Sequence, residues 1–458
     1  MVITRFAPSP TGYLHIGGLR TALFNYLWAR KNNGKFRLRI EDTDLERNKE
    51  EATEAILEAF EWVGMNWDDE VVYQSDRFDI YKKYVQKLLD EGKAYKCYLT
   101  AEELKAHREA IQKGQPSDLD VRKYRDFDGE LDKDYVIRFK APLSGELVLE
   151  DGVKGKVTHQ IQPNDDFVIA RSSGVPTYNF VVVIDDYEMG MTEIIRGDDH
   201  LSNTFKQMMI YQAFGWDIPK FYHVPMIHNE KGKKLSKRDG AVNVMEYKKE
   251  GFLPEALLNF LVRLGWSHGD QEIFSMEEMI NLFNPDDINS APSRYNYEKL
   301  CWLNQHYIKN SSNQRIAKLL KEDFNIDIEN HDKLEILLDE VKDRAQTLKE
   351  MAAVIDNILT PPSEYNEKAV KKFIKENTKE NLTKFIEFIK DKELHLPTDW
   401  HDVLMEEFIP QNNLKPKDIM PPLRICMNGD TKGIDLSSLL AILGKEEVIK
   451  RIESFINS

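Results

Sequence analysis

The feature that most constrains this chain is residues 2–44, where an apolar run, a proline- and glycine-rich loop, an amphipathic stretch and a second apolar run follow one another directly. Val2 to Phe6 is short and β-rich, and Pro8, Pro10 and Gly12 forbid helix before His15. Leu19, Leu23, Tyr26, Leu27 and Arg30 then recur at helical spacing, with Asn33-Gly34 as the stop. Lys35 to Ile40 reads as a second strand and ends in Glu41-Asp42-Thr43-Asp44. A strand, helix, strand unit of this kind binds ligands beyond the carboxyl ends of its strands, where this loop and these acids fall.

The residue types in the loop fit a nucleotide. Gly17 and Gly18 carry no Cβ, so a purine or ribose can pack directly on the backbone. The helix start offers unpaired N–H groups to phosphate oxygens, and His15 beside it can donate a hydrogen bond to charge developing on a phosphate. Neither a Walker A loop nor G-x-G-x-x-G is present.

A second stretch completes the pattern. From Lys231 to Arg238 five of eight residues are basic and none is acidic, and the stretch ends in Lys234-Leu235-Ser236-Lys237-Arg238. A lysine pair of this kind can close over a triphosphate and neutralise the departing pyrophosphate. Arg5-Phe6-Ala7-Pro8-Ser9-Pro10-Thr11-Gly12-Tyr13-Leu14-His15-Ile16-Gly17-Gly18 resembles the first signature of the bacterial glutamyl-tRNA synthetases, class I enzymes, with Gly18 in place of the second histidine of His-Ile-Gly-His. Lys234 to Arg238 resembles their K-[IL]-S-K-R form of the second signature.

That resemblance implies an α/β Rossmann-type nucleotide-binding catalytic domain with an α+β insertion, followed by an all-α C-terminal anticodon-binding region. The expected boundaries are 1–92 and 179–240 for the two catalytic halves and 93–178 for the insertion that holds the acceptor end of tRNA. Residues 241–308 are expected to contact the stem, and 309–458 to bind the anticodon. Within the catalytic halves, helices are expected at Glu50 to Gly64, Arg77 to Glu91 and Thr204 to Phe214. The continuous apolar run Phe180 to Ile184, closed by Asp185-Asp186, reads as a central parallel strand. Lys333 to Leu359 reads as helix.

Site residues follow by resemblance. His15, Lys234 and Lys237 are expected on the phosphates as the catalytic set, with Gly17, Gly18, Ser236 and Arg238 completing the ATP site. Arg5, Ala7, Ser9, Glu41, Tyr178 and Arg196 match positions that line the glutamate pocket. There a guanidinium can pair both oxygens of a carboxylate, whereas glutamine would present donor to donor. Glu41 is expected to receive the substrate ammonium, and Arg344 matches a reader of the last anticodon base.

The implied reaction is ATP-dependent attachment of glutamate to tRNA(Glu) through an adenylate, with Mg²⁺ accompanying ATP but no protein ligand assigned to it. Some relatives bind zinc through C-x-C. Here Cys97 is followed two residues later by Leu99, so no metal site is expected and Cys97 reads as a half-buried filler. Alternatives are an enzyme that charges tRNA(Gln) with glutamate, alone or as well, and an inactive paralogue that only binds tRNA. A glutaminyl enzyme fits less well, because its relatives carry a β-barrel anticodon region.

Composition sets outer limits. The chain has 458 residues, enough for several domains, and no apolar run approaches the roughly 18 residues of a membrane span. Cys97, Cys301 and Cys426 are an odd, scattered set, which points to a reducing cytoplasm, and a monomer is expected. The net charge of −15 opposes a nucleic-acid partner unless a local basic surface supplies the affinity.

Overall fold

The computed structural model describes residues 1–44, 48–117, 119–162, 165–233, 235 and 243–457. The chain divides into two compact units, Met1–Met245 with Leu258–Asn296 and Glu246–Leu257 with Tyr297–Ser458.

In the first unit β1 (Ile3–Phe6), α1 (Ile16–Lys31) and β2 (Lys35–Ile40) follow in the expected order. The strands pair in parallel, with Arg5 beside Arg37 and Phe6 beside Leu38. Leu19, Leu23, Phe24 and Leu27 of α1 are fully buried. The turn back into β2 needs glycine, because a Cβ on Gly34 would stand 2.0 Å from the Val2 carbonyl oxygen. α2 (Glu50–Val63), β3 (Val72–Tyr73) and α3 (Phe78–Asp90) follow, with β3 parallel to β2. Gly64, at a φ of 70°, caps α2 in the left-handed conformation that ends many helices.

Antiparallel pairing then takes over. β4 (Ala94–Cys97), α4 (Ala101–Gln112) and β5 (Val136–Phe139) come first. The ribbon β6 (Glu146–Asp151) and β7 (Gly155–Gln160) and then β8 (Val168–Ala170) follow, giving a sheet β4-β5-β8 beside the ribbon. Cys97 is not half-buried but fully enclosed with Tyr95 and Leu99.

The apolar run expected as a central strand is instead α5 (Tyr178–Glu188). Phe180 to Asp186 are all buried, so the segment is enclosed on every side and has no polar face to reveal a period of 3.6. The three valines lower helix propensity by only tenths of a kcal/mol each, roughly, and burial outweighs that. β9 (Glu193–Gly197), α6 (Leu201–Phe214) and β10 (Lys220–Val224) restore the parallel pattern. The Thr192 N–H donates to the Ile3 carbonyl at 3.0 Å, laying the start of β9 beside β1. β11 (Ile227–His228) ends this run.

The second unit is helical around one large apolar core that includes Leu320, Leu338, Ile355, Phe385, Trp400 and Leu440. Lys333 to Leu359 is two helices, Leu334–Lys342 and Leu348–Leu359, because Thr347 caps the second by accepting the Glu350 N–H. Among the described residues no helix is long and apolar enough to cross a membrane.

Candidate active site

Because Arg5 and Arg37 are register partners, Arg5, Arg37 and Arg39 leave the β1–β2 pair on one face. The acids of α5 meet that face. Asp186 accepts from Arg5 Nε at 3.1 Å and from Arg39 Nη1 at 2.7 Å. Asp185 accepts from Arg77 Nε at 2.7 Å, from Gln74 Nε2 at 2.8 Å and from the Tyr81 hydroxyl at 2.8 Å. Burial alone would raise the Asp186 carboxyl, yet the two guanidiniums hold it below its ordinary value.

Glu41 lies at the carboxyl end of β2, where Arg39 Nη2 donates to its Oε1 at 3.1 Å. Burial pushes Glu41 upward despite Arg39 and Arg5, so an arriving cation would stabilise its ionised form. The Glu41 N–H donates to the Pro8 carbonyl, which ties the Ala7–Ser9 loop to this strand end. Ser9 is exposed and Ala7 half-buried.

Tyr178 opens α5, and its hydroxyl lies 2.9 Å from His200 Nδ1. Burial and the Glu41 charge push Tyr178 up to about 12, against the pull of Arg196 and Arg5, so it stays a neutral hydroxyl. Arg196, 5% exposed, donates from Nη2 to Thr204 Oγ1 at 2.7 Å and from Nε to His223 Nε2 at 3.2 Å. Its Nη1 has no partner among the described residues, nor does the buried Tyr211 hydroxyl. Arg5, Glu41, Tyr178 and Arg196 thus form one electrostatic cluster. A buried cationic nitrogen without an acceptor is costly in an empty pocket and useful in one that takes a carboxylate.

One edge of Arg5 is occupied by Asp186. Nε and Nη2 face the two oxygens of Asp186, which leaves Nη1 and the second hydrogen of Nη2 for other acceptors.

His15 is the N-cap of α1, and its Nδ1 accepts the Gly18 N–H at 3.1 Å. That bond fixes the proton on Nε2. A Cβ on Gly18 would press to 2.8 Å on Leu14 Cδ1, and one on Gly17 to 3.1 Å on His15 Nδ1. Lys234, Ser236, Lys237 and Arg238 lie outside the described residues. The described residues around them are tied down: Leu235 N–H donates to the Ile227 carbonyl at 3.0 Å, and Val244 N–H to that of Leu14 at 2.8 Å. Asn243 also bridges to His15, so the described chain resumes beyond the second signature paired with the first.

Arg344 is exposed in the turn between Leu334–Lys342 and Leu348–Leu359, and its Nη1 donates to the Gly433 carbonyl at 3.3 Å. Sequence reasoning missed Asp186, Arg39, His200 and Tyr211 as members of the cluster. The adjacent acids Asp185-Asp186 were the available signal, concealed by reading α5 as a strand.

The family description "tRNA synthetases class I (E and Q), catalytic domain" matches residues 1–302, and "Anticodon binding domain" matches residues 314–456. Glutamate–tRNA ligase 2 of Nitratiruptor sp. is 60% identical over 100% of this chain and 99% of its own length. Glutamate–tRNA ligase 1 of Sulfurovum sp. is 60% identical over 100% of both chains. The crystal structure of a glutamate tRNA ligase from Elizabethkingia meningosepticum in complex with its amino acid superposes with a TM-score of 0.88 at 34% identity, covering 100% of this chain and 99% of that one. The chain therefore belongs to the class I tRNA synthetases for glutamate and glutamine, among the glutamate–tRNA ligases.

Proposed function

We propose that this chain joins L-glutamate to tRNA(Glu), using ATP and passing through glutamyl adenylate. The observation that carries the reading is the unpartnered, buried Nη1 of Arg196 in a cluster with Arg5, Tyr178 and Glu41. This arrangement suits a ligand with carboxylates to meet the arginines and an ammonium to meet Glu41.

In the first step the glutamate α-carboxylate attacks the α-phosphate of ATP and pyrophosphate leaves. Positioning and charge stabilisation are what the protein contributes. His15 donates from Nε2 to the phosphates, ribose or base packs on Gly17 and Gly18, and Lys234, Ser236, Lys237 and Arg238 close over the pyrophosphate. Mg²⁺ enters with ATP; among the described residues no group of three His, Cys, Asp or Glu is placed to hold it, and no protein ligand is assigned. In the second step a terminal ribose hydroxyl of tRNA takes the acyl group. Residues 93–178 hold that end, 241–308 contact the stem and 309–458 bind the anticodon, with Arg344 reading its last base. Three buried free thiols fit action in the reducing cytoplasm.

The test is attachment of labelled glutamate to purified tRNA(Glu) and tRNA(Gln), in parallel, with ATP and Mg²⁺. Charging of tRNA(Glu) alone supports the reading as stated, and charging of both or of tRNA(Gln) alone replaces its tRNA specificity. Charging of neither overturns it. His15→Ala should slow adenylate formation by about 10²–10³-fold while tRNA affinity holds.

A further inference from the structure

We propose that Asp151 and His223 are a positioning pair that fixes the orientation of Arg196 and thereby aims its Nη1 at a carboxylate of glutamate. The inference rests on the reading of Arg196 as a glutamate ligand.

Arg196 and His223 are register partners in the parallel pair β9–β10, so their side chains leave the sheet on the same face. His223 is fully buried, and its Nδ1 stands 2.6 Å from Asp151 Oδ2. An ionised carboxylate only accepts, so Nδ1 carries the proton and Nε2 is left as an acceptor. It receives the Nε–H of Arg196 at 3.2 Å, with the Thr204 hydroxyl 3.0 Å away. Burial pushes the imidazole pKa down, which keeps it neutral and able to accept. A proton on Nε2 would instead set donor against donor.

The remaining freedom of Arg196 is removed from two further sides. Nη2 donates to Thr204, and the guanidinium carbon lies 5.2 Å from the centroid of the Phe221 ring. With one edge and one face held, Nη1 is the nitrogen without a partner.

Asp151 is itself held more firmly than a fortuitous neighbour. Its Oδ1 accepts the N–H groups of Val153, Lys154 and His223 at 3.0, 2.8 and 3.2 Å. Burial would raise this carboxyl, but the His223 bond and the Lys154 amide bring it below its ordinary value. The turn of the β6–β7 ribbon that carries it is docked on β10, since the Gly152 N–H donates to the Phe221 carbonyl at 2.9 Å. A Cβ on Gly152 would stand 2.2 Å from Tyr222 Cε1, so this close approach needs glycine. The ribbon thus delivers a carboxylate to the far side of a histidine whose near side sets the substrate arginine.

Two amides separate this role from a merely structural one. In His223→Asn the side-chain amide can still donate to Asp151 but cannot reach Arg196. In His223→Gln the terminal oxygen occupies the place of Nε2 and can accept from Arg196. With the full chain, tRNA(Glu), ATP and Mg²⁺, H223N should raise the KM for glutamate about tenfold, equivalent to about 1.4 kcal/mol, while the KM for ATP holds. H223Q should recover part of that loss, because its oxygen accepts from Arg196 while the bond to Asp151 is given up. Thr204→Val should raise the same KM by a smaller factor, and it carries the test if H223N does not fold.

Equal losses in H223N and H223Q, a rise in both KM values together, or an unchanged glutamate KM in folded H223N or T204V would overturn the positioning role. Failure of the unsubstituted chain to attach glutamate would instead overturn the proposed function, and this inference with it.

Discussion

Each unit buries an arginine to a similar degree, and the two side chains are used in opposite ways. Arg451, 2% exposed in the helical unit, spends every nitrogen on its own chain. Nη1 and Nη2 donate to the carbonyls of Ile358 and Leu359 at 3.0 and 2.8 Å, Nη1 also donates to that of Met427, and Nε donates to Glu447 at 2.9 Å. It closes helix ends that would otherwise leave carbonyls unsatisfied. Arg196, 5% exposed in the first unit, is held on one edge and left open at Nη1. Buried charge that is fully satisfied serves the fold, whereas buried charge left partly unsatisfied marks a place where the fold gives up stability for a ligand.

The largest effect is expected where one carboxylate serves both purposes. Asp186→Ala leaves the buried Arg5 without its paired carboxylate and Arg39 with Glu41 as its remaining close partner, which costs about 3–5 kcal/mol, and it also frees Arg5 to turn. Urea unfolding should show that loss, together with a raised glutamate KM. A stability change under about 1 kcal/mol would mean that water or rearrangement compensates the arginines, against the burial seen here.

Arg196→Met and Arg451→Met divide the comparison. The first removes an unsatisfied donor and the proposed glutamate contact, so the glutamate KM should rise by about 10²-fold, a loss typical of a charged hydrogen bond, with little change in the unfolding midpoint. The second strips three carbonyls of their donor and should cost about 3 kcal/mol of stability with the glutamate KM intact. If the two variants exchanged these outcomes, the distinction between satisfied and open arginines would fail.

Why the sequence revealed one half of the site better than the other follows from the same physics. The loop from Pro8 to Gly18 is legible because prolines and glycines restrict the backbone locally, and His15 caps α1 where the loop ends. Arg5, Glu41 and Arg196 could be named by resemblance because they sit at strand ends. The set that holds them could not, because Asp186 reaches Arg5 across 181 positions and Asp151 reaches His223 across 72. Contacts at such separations leave no periodicity to read. α5 failed for a related reason: full burial erases the amphipathic pattern that distinguishes helix from strand. In the helical unit Arg451 was equally silent, since a capping arginine looks like any other in a charged helix.

A smaller effect is expected from acid. Burial and the Arg196 charge lower His200 from 6.5 to about 4, so the folded chain keeps it neutral while the unfolded chain takes up a proton. Its contribution to stability is full above about pH 6.5 and is lost as pH falls from there towards about 4. Asp186, depressed in the fold, adds a loss only at lower pH, and Glu41, raised in the fold, works in the opposite direction. The measurement is therefore a difference between two curves. His200→Gln should flatten the fall in stability between pH 6.5 and 4 relative to the unsubstituted chain, and superimposable curves would remove His200 from the account.

The smallest effect on stability tests the exposed counterpart of these arginines. Arg344 sits in a turn, with one long bond to the Gly433 carbonyl at 3.3 Å, so Arg344→Ala should change stability by no more than about 0.5 kcal/mol. Exposure removes the desolvation that makes Arg196 and Arg451 matter to their surroundings, and any importance of Arg344 must then come from a partner. Reading the last anticodon base, it would hydrogen-bond C and disfavour G, a discrimination worth about 1–3 kcal/mol for a well-placed side chain. The ratio of kcat/KM for tRNA(Glu) and tRNA(Gln) is the quantity to measure. A ratio that narrows in R344A, with glutamate and ATP KM values unchanged, makes it a reader. An unchanged ratio leaves Arg344 a solvated side chain and places tRNA choice elsewhere in the helical unit.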